Sequence, residues 1–141
     1  MKTIAPLMLL LMVILYGCKT TKAPVIVATE RSISGIQWYL KTIYQPAGNL
    51  TINDNIAFIK FDAEKNSAGG KGGCNNYGCS YNVNGTIIDF KNVFSTKMFC
   101  EKTQQQEDLF FRLLEKVNRF DVKNARLLLY KDDELLLEFG K

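Results

Sequence analysis

Apolar residues are distributed along this chain in three ways, and each predicts a different kind of element. From Leu7 to Tyr16 they run unbroken and without charge. From residue 36 they alternate: Ile36, Trp38 and Leu40 fall on one face of an extended segment to Ile43, which Pro46-Ala47-Gly48-Asn49 breaks. Ile56 to Phe61 reads as a second strand with Ala57, Ile59 and Phe61 on one face. Asp62 to Gly73, rich in glycine, reads as a loop. Cys79 to Val83 and Thr86 to Phe90 flank Asn84-Gly85, a strong signal for a two-residue hairpin turn, and a short extended piece from Val93 to Thr96 follows. Then the period becomes helical. Leu109, Phe110, Leu113, Leu114 and Val117 share a face, while Phe111 stands off it, placed to cover a sheet edge. Thr103 to Gln106 fits a capping box, and Glu107 and Asp108 suit the positive first turn. Phe120-Asp121-Val122 leads into a strand from Arg126 to Tyr130, Lys131-Asp132-Asp133 turns, and Glu134 to Phe139 returns. The consecutive leucines of both final strands predict that at least one is covered on both faces. The fold class is α+β and predominantly β: a small antiparallel meander sheet or open barrel with one helix packed across it.

The continuous apolar run belongs to a different system. Lys2 precedes it, it is too short to span a bilayer comfortably, and Lys19-Thr20-Thr21-Lys22 stops it abruptly, which together predict a secretory signal. Its end, Leu15-Tyr16-Gly17-Cys18, resembles the signal of bacterial lipoproteins, with Tyr16 where a small or branched residue is usual. In that class the Cys is the cleavage point and its thiol takes a diacylglycerol. With a third, palmitate-type chain on the new amine, such an anchor is stable where a single chain is not. The resemblance divides the chain into a signal peptide (1–17), a lipidated Cys18 with its tether (18–33) and one folded domain (34–141). It implies a cell-envelope location. Lys19 is not the Asp that retains some lipoproteins at the inner membrane, so the outer membrane is preferred.

Composition then removes whole classes of function. The chain has no histidine, which excludes His-based triads and the usual zinc and copper ligand sets. The net charge of +4 comes from interspersed signs with no basic block, so nucleic acid is not expected. Such a surface reads first as solvated and second as weakly attracted to anionic lipid. Gly70-x-Gly72-Gly73 lacks the Lys-Ser/Thr of a phosphate-binding loop, and Asp132-Asp133-Glu134 sits at a presumed hairpin tip without EF-hand spacing. No catalytic set, metal site or cofactor is expected.

Cys74, Cys79 and Cys100 remain, an odd number for an oxidising compartment. A Cys74–Cys100 bond would close about 27 residues and contribute roughly 3.5 kcal/mol; Cys79–Cys100 would contribute nearly as much. Cys74–Cys79 would close about six residues, with roughly 2 kcal/mol and a risk of strain. Loop length therefore does not choose between the two longer pairings. Cys79 reads as a small buried hydrophobe opening a strand, or else as a free thiol whose thiolate would need Lys71 or Lys97 nearby.

Together the motifs Trp38-x-Leu40, Phe61, Gly70-x-x-Gly73-Cys74-Asn75-x-Tyr77, Tyr81, Thr96-x-Met98-x-Cys100, Glu107, Leu127-x-Leu129 and Phe139 resemble the META/HslJ family, over residues 34–139 and in the family's order. The resemblance implies a small β-rich fold with a helix, an envelope or secreted location, and a disulfide whose partners here are Cys74 and Cys100. Cys79 departs from the family, which tends to a small residue there. Family members are linked to heat-shock expression, antibiotic tolerance, motility and virulence, none of which names a ligand. Asn75, Tyr77, Tyr81 and Thr96 could line a polar surface. The simpler reading has Asn75 holding a turn through side-chain to backbone bonds, the tyrosines packed with their hydroxyls at the edge, and Trp38 in the core. The functional expectation is a non-enzymatic envelope lipoprotein, held to the membrane by its anchor, that binds an envelope protein or cell-wall component or maintains the envelope under stress. Two alternatives are an inhibitor of an envelope hydrolase, plugging it with the loop from Gly69 to Tyr77, and a thiol redox protein using Cys79.

Overall fold

The computed structural model describes residues 30–141. The signal segment, Cys18 and residues 19–29 of the tether lie outside them. The described chain opens with α1 (Glu30–Ile33), followed by strands β1 (Gln37–Ile43), β2 (Leu50–Thr51), β3 (Phe58–Asp62), β4 (Ser67–Lys71), β5 (Asn76–Asn84) and β6 (Ile87–Ser95). The helix α2 (Gln104–Leu114) precedes β7 (Arg119–Lys123), β8 (Arg126–Lys131) and β9 (Glu134–Gly140).

All strand pairings are antiparallel and mostly follow chain order. Because β1 pairs with β9 as well as with β3, the sheet returns on itself as a ring, and β2 is a short addition beside β1. The ring is thinnest between β6 and β7. There the ladder has the single pair Ile87↔Arg119, flanked by backbone bonds from Ile88 N to the Asn118 carbonyl and from Phe120 N to the Thr86 carbonyl. Alternation places Trp38, Leu40, Ile59, Tyr81, Ile88, Leu127, Leu129 and Phe139 in the interior. α2 then inserts Phe110, Leu113 and Leu114, and Phe110 stands edge-on to Tyr77 and Phe139. The paired leucines behave as expected in β9, where Leu136 and Leu137 are both buried. A bulge lets this happen, because the register steps from Leu129↔Leu137 to Tyr130↔Leu135.

Several elements differ from the sequence reading. The glycine-rich stretch read as a loop contains β4. Its glycines are there because neighbouring backbone lies where side chains would be: a Cβ on Gly70 would sit 2.2 Å from the Phe58 carbonyl oxygen. The extended piece from Val93 to Thr96 is not separate but continues β6 past a bulge at Asn92, which takes a φ of 54°. The capping box does not form. Thr103 has a helical ψ of −7° and makes no side-chain cap bond, and the Cys100 carbonyl receives the Thr103 and Gln104 N–H groups instead. Finally, Ile33, which the sequence reading assigns to the tether, is fully buried, and its carbonyl accepts the Trp38 indole N–H at 2.9 Å. Ile33 thus belongs to the folded body.

Candidate functional site

Of the motif residues in the chain's centre, Gly73, Cys74, Asn75, Thr96, Met98 and Cys100 meet at one junction, with Glu107 from the helix. β4 leaves the sheet at Lys71 and turns sharply through residues 72–75, a bend closed by Gly72 N donating to the Asn75 carbonyl at 2.9 Å. Gly73 takes a φ of 144°, which side chains disfavour, and Gly72 lies so close under Phe111 and Glu107 that no Cβ fits. The bend points the Cys74 and Asn75 N–H groups at the Glu107 carboxylate, which accepts both on Oε2 at 2.8 and 2.6 Å. Asn75 Nδ2 donates to the other oxygen, Oε1, at 2.6 Å.

Asn75 then reaches across the chain. Its Oδ1 accepts from the Thr96 hydroxyl at 2.7 Å and from Met98 N at 2.8 Å, while Nδ2 also donates to the Met98 carbonyl at 3.0 Å. The side-chain amide therefore pairs with Met98 as a strand residue would. All four of its hydrogen-bonding positions are used, and only one orientation of the amide satisfies them. Asn75 and Glu107 are respectively 3% and 1% exposed, so the pair at the centre is buried, with all its polar side-chain atoms bonded. The Cys74–Cys100 disulfide, with Cα atoms 6.1 Å apart, fastens the same two segments covalently.

The consequence is a fixed loop from Thr96 to Cys100: the Thr96 hydroxyl and the Met98 backbone groups bond to Asn75, while the Lys97, Met98 and Phe99 side chains stay exposed. Met98 is 56% and Phe99 79% exposed, and Phe94, packed over Gly78, is 70% exposed. An open cleft of about 250 Å³ separates this loop from α2, with Asn75 and Glu107 at its floor. The floor offers no free acid, base or nucleophile, since its polar atoms are already engaged.

The other expected site residues fall elsewhere. Trp38 is core, as read. Tyr77 and Tyr81 are buried rather than lining a polar surface. The Tyr77 hydroxyl donates to the Phe58 carbonyl at 3.2 Å, and burial raises its pKa well above the ordinary value. Gly70 is inside β4, not on a projecting loop. Cys79 is the free thiol, buried at 4% exposure with Sγ 3.5 Å from the Ala68 carbonyl; burial pushes its pKa up to about 11. That is the opposite of the lysine activation considered from sequence. Asn75 does bond to backbone, but to Met98 rather than within its own turn. Sequence reasoning makes Glu107 a partner of the helix dipole and misses its place at the centre of the junction. The available signal is its inclusion in the motif set with Gly-Cys-Asn. Among the described residues no group of three potential metal ligands occurs.

A ring-like antiparallel sheet, one helix laid into it and one loop stapled to a buried Asn–Glu pair define a small, disulfide-fastened β domain. The chain belongs to the META domain family, whose model matches residues 31–141. Two solved structures share the fold. One is a protein from Burkholderia xenovorans determined by NMR, with TM-score 0.65 and 19% identity, covering 86% of this chain and 96% of that one. The other, also an NMR structure, has TM-score 0.60 and 17% identity and covers 79% of this chain and 94% of that one. No curated protein matches the chain.

Proposed function

We propose that this chain is an envelope lipoprotein, anchored through Cys18, whose META domain works by binding an envelope component rather than by catalysis. One observation carries the reading. The junction that unites the family-motif residues spends its polar groups on holding a loop, and presents Met98 and Phe99 outward on it. Preorganised apolar side chains on a covalently fastened loop bind without the usual ordering cost. An enzyme needs the reverse arrangement, with polar groups free at a cleft floor. The role in envelope maintenance under stress belongs to the same reading.

The two alternatives lose support. The plug assigned from sequence to Gly69–Tyr77 runs from β4 through a buried bend at residues 72–75 into β5 rather than projecting, and the only free thiol among the described residues is buried with a raised pKa. The test is mass spectrometry of Cys18 together with photo-crosslinking from position 99 in intact cells. A triacylated Cys18 and a discrete crosslinked product, to lipid or to protein, are the expected results. An unmodified Cys18, or a deletion strain with normal envelope integrity and no crosslinked product, would sink the proposal.

A further inference from the structure

We infer that the Met98–Phe99 loop is a membrane-contacting element that inserts into the interface of an anionic bilayer. This deepens the binding reading by naming the partner of the same loop, and it rests on that reading. Three observations select lipid over a protein partner. First, the protrusion is narrow: Met98 and Phe99 are adjacent exposed apolar side chains on a single fastened loop, a shape suited to entering an interface rather than covering a broad, flat partner surface. Interfacial binding adds apolar burial to the attraction between basic residues and anionic lipid, so a small apolar tip with basic neighbours gains from both. Second, the charge around the loop suits anionic headgroups. Lys97 adjoins Met98, while Lys71 and Lys102 line the hollow on its other side together with Glu101. Among the described residues none of these three lysines has an ion-pair partner. Of the two acids lining the cleft beside the loop, Glu107 is buried and bonded to Cys74 and Asn75, and Asp108 accepts from Gln104 at 2.9 Å.

Third, the stretch between Cys18 and the start of α1 limits how far the domain stands from the anchor. Residues 19–29 span at most about 40 Å even when fully extended. The stapled junction fixes the loop's backbone before contact, so little of the insertion energy is spent on ordering it.

The experiment places a reporter on the loop by Phe99→Trp, with the fully buried Trp38 as a constant background. Protein purified from its host membrane is reconstituted into vesicles of phosphatidylcholine alone or mixed with phosphatidylglycerol, both with brominated acyl chains. Protein recovered without lipid is added to the same vesicles. In phosphatidylglycerol vesicles the new indole should shift to the blue and be quenched. The Lys71→Ala, Lys97→Ala and Lys102→Ala variants should each weaken contact about fivefold, since a basic residue near an anionic surface contributes about that factor. Solvent-like, unquenched emission in anionic vesicles overturns the inference. So does quenching indifferent to both phosphatidylglycerol and the lysines, or a crosslink from position 99 to a protein, though that crosslink would leave the binding reading intact. Quenching by protein whose Cys18 carries no lipid supports the inference while overturning the tether.

Discussion

The leucine-rich wall of β8 and β9 and the junction at Asn75 are equally buried, yet they hold the fold by opposite means. In the wall, Leu127, Leu129, Leu137 and Phe139 are fully buried and depend on area and shape, which degrade gradually as side chains change. In the junction, one amide and one carboxylate answer six hydrogen bonds whose partners span residues 74–107. There a change of one atom leaves a buried group unpaired. The wall supplies stability; the junction supplies the position of one loop.

The largest break in this comparison is expected from Asn75→Asp. The shape is unchanged, but a carboxylate oxygen replaces the Nδ2 that now lies 2.6 Å from Glu107 Oε1, so two like charges meet in a buried site. The variant should lose about 4 kcal/mol in urea unfolding. The close pair raises one folded-state carboxyl pKa, so the native state holds the extra proton and the deficit shrinks as pH falls. A deficit under about 1 kcal/mol, or one independent of pH, would contradict the paired description. In the wall, Leu129→Ala should cost about 3 kcal/mol but Leu129→Met less than about 1.5, as expected where volume rather than atom identity matters. Equal costs for the two would erase the distinction between the regions.

Cys79 sharpens the comparison from inside the wall's type of environment. Its thiol ionises near 9.0 when unperturbed and at about 11 in the fold, so between those values the native state holds the extra proton. Stability should therefore decline across that window by roughly 2 kcal/mol, and Cys79→Ala should flatten the decline. The smallest effect is expected from Thr96→Val, which removes one of the two donors to Asn75 Oδ1 while keeping shape. A loss of about 1 kcal/mol in thermal unfolding is the expected size of one neutral bond.

What the sequence disclosed divides along the same line. Burial by alternation or by helical stripe is a local signal, so β1, β3, the Asn84-Gly85 hairpin, α2 and the final pair of strands were legible. β4 was not, because its residues are glycine, serine, alanine and lysine, and their place in the sheet is set by close backbone contact that no periodicity reports. Ile33 was invisible for a similar reason: a single apolar residue has no period. At the junction, the motifs marked the participants, but the pairings of Asn75 with Met98 and with Glu107 cross 23 and 32 residues and depend on the bend at Gly72-Gly73. The disulfide partners came from resemblance, and loop entropy had left them open.

The pairing of β1 with β9, from Tyr39↔Gly140 to Ile43↔Leu137, bears on the order of assembly. For any chain that emerges N-terminus first, the earliest strand of the ring must wait for the latest. The apolar faces of β1 and its neighbours stay unsealed until β9 arrives, and such non-local closure makes folding slow. The segments joined by Cys74 and Cys100 are complete well before that point, so oxidation is free to precede ring closure and to present β9 with a half-built template.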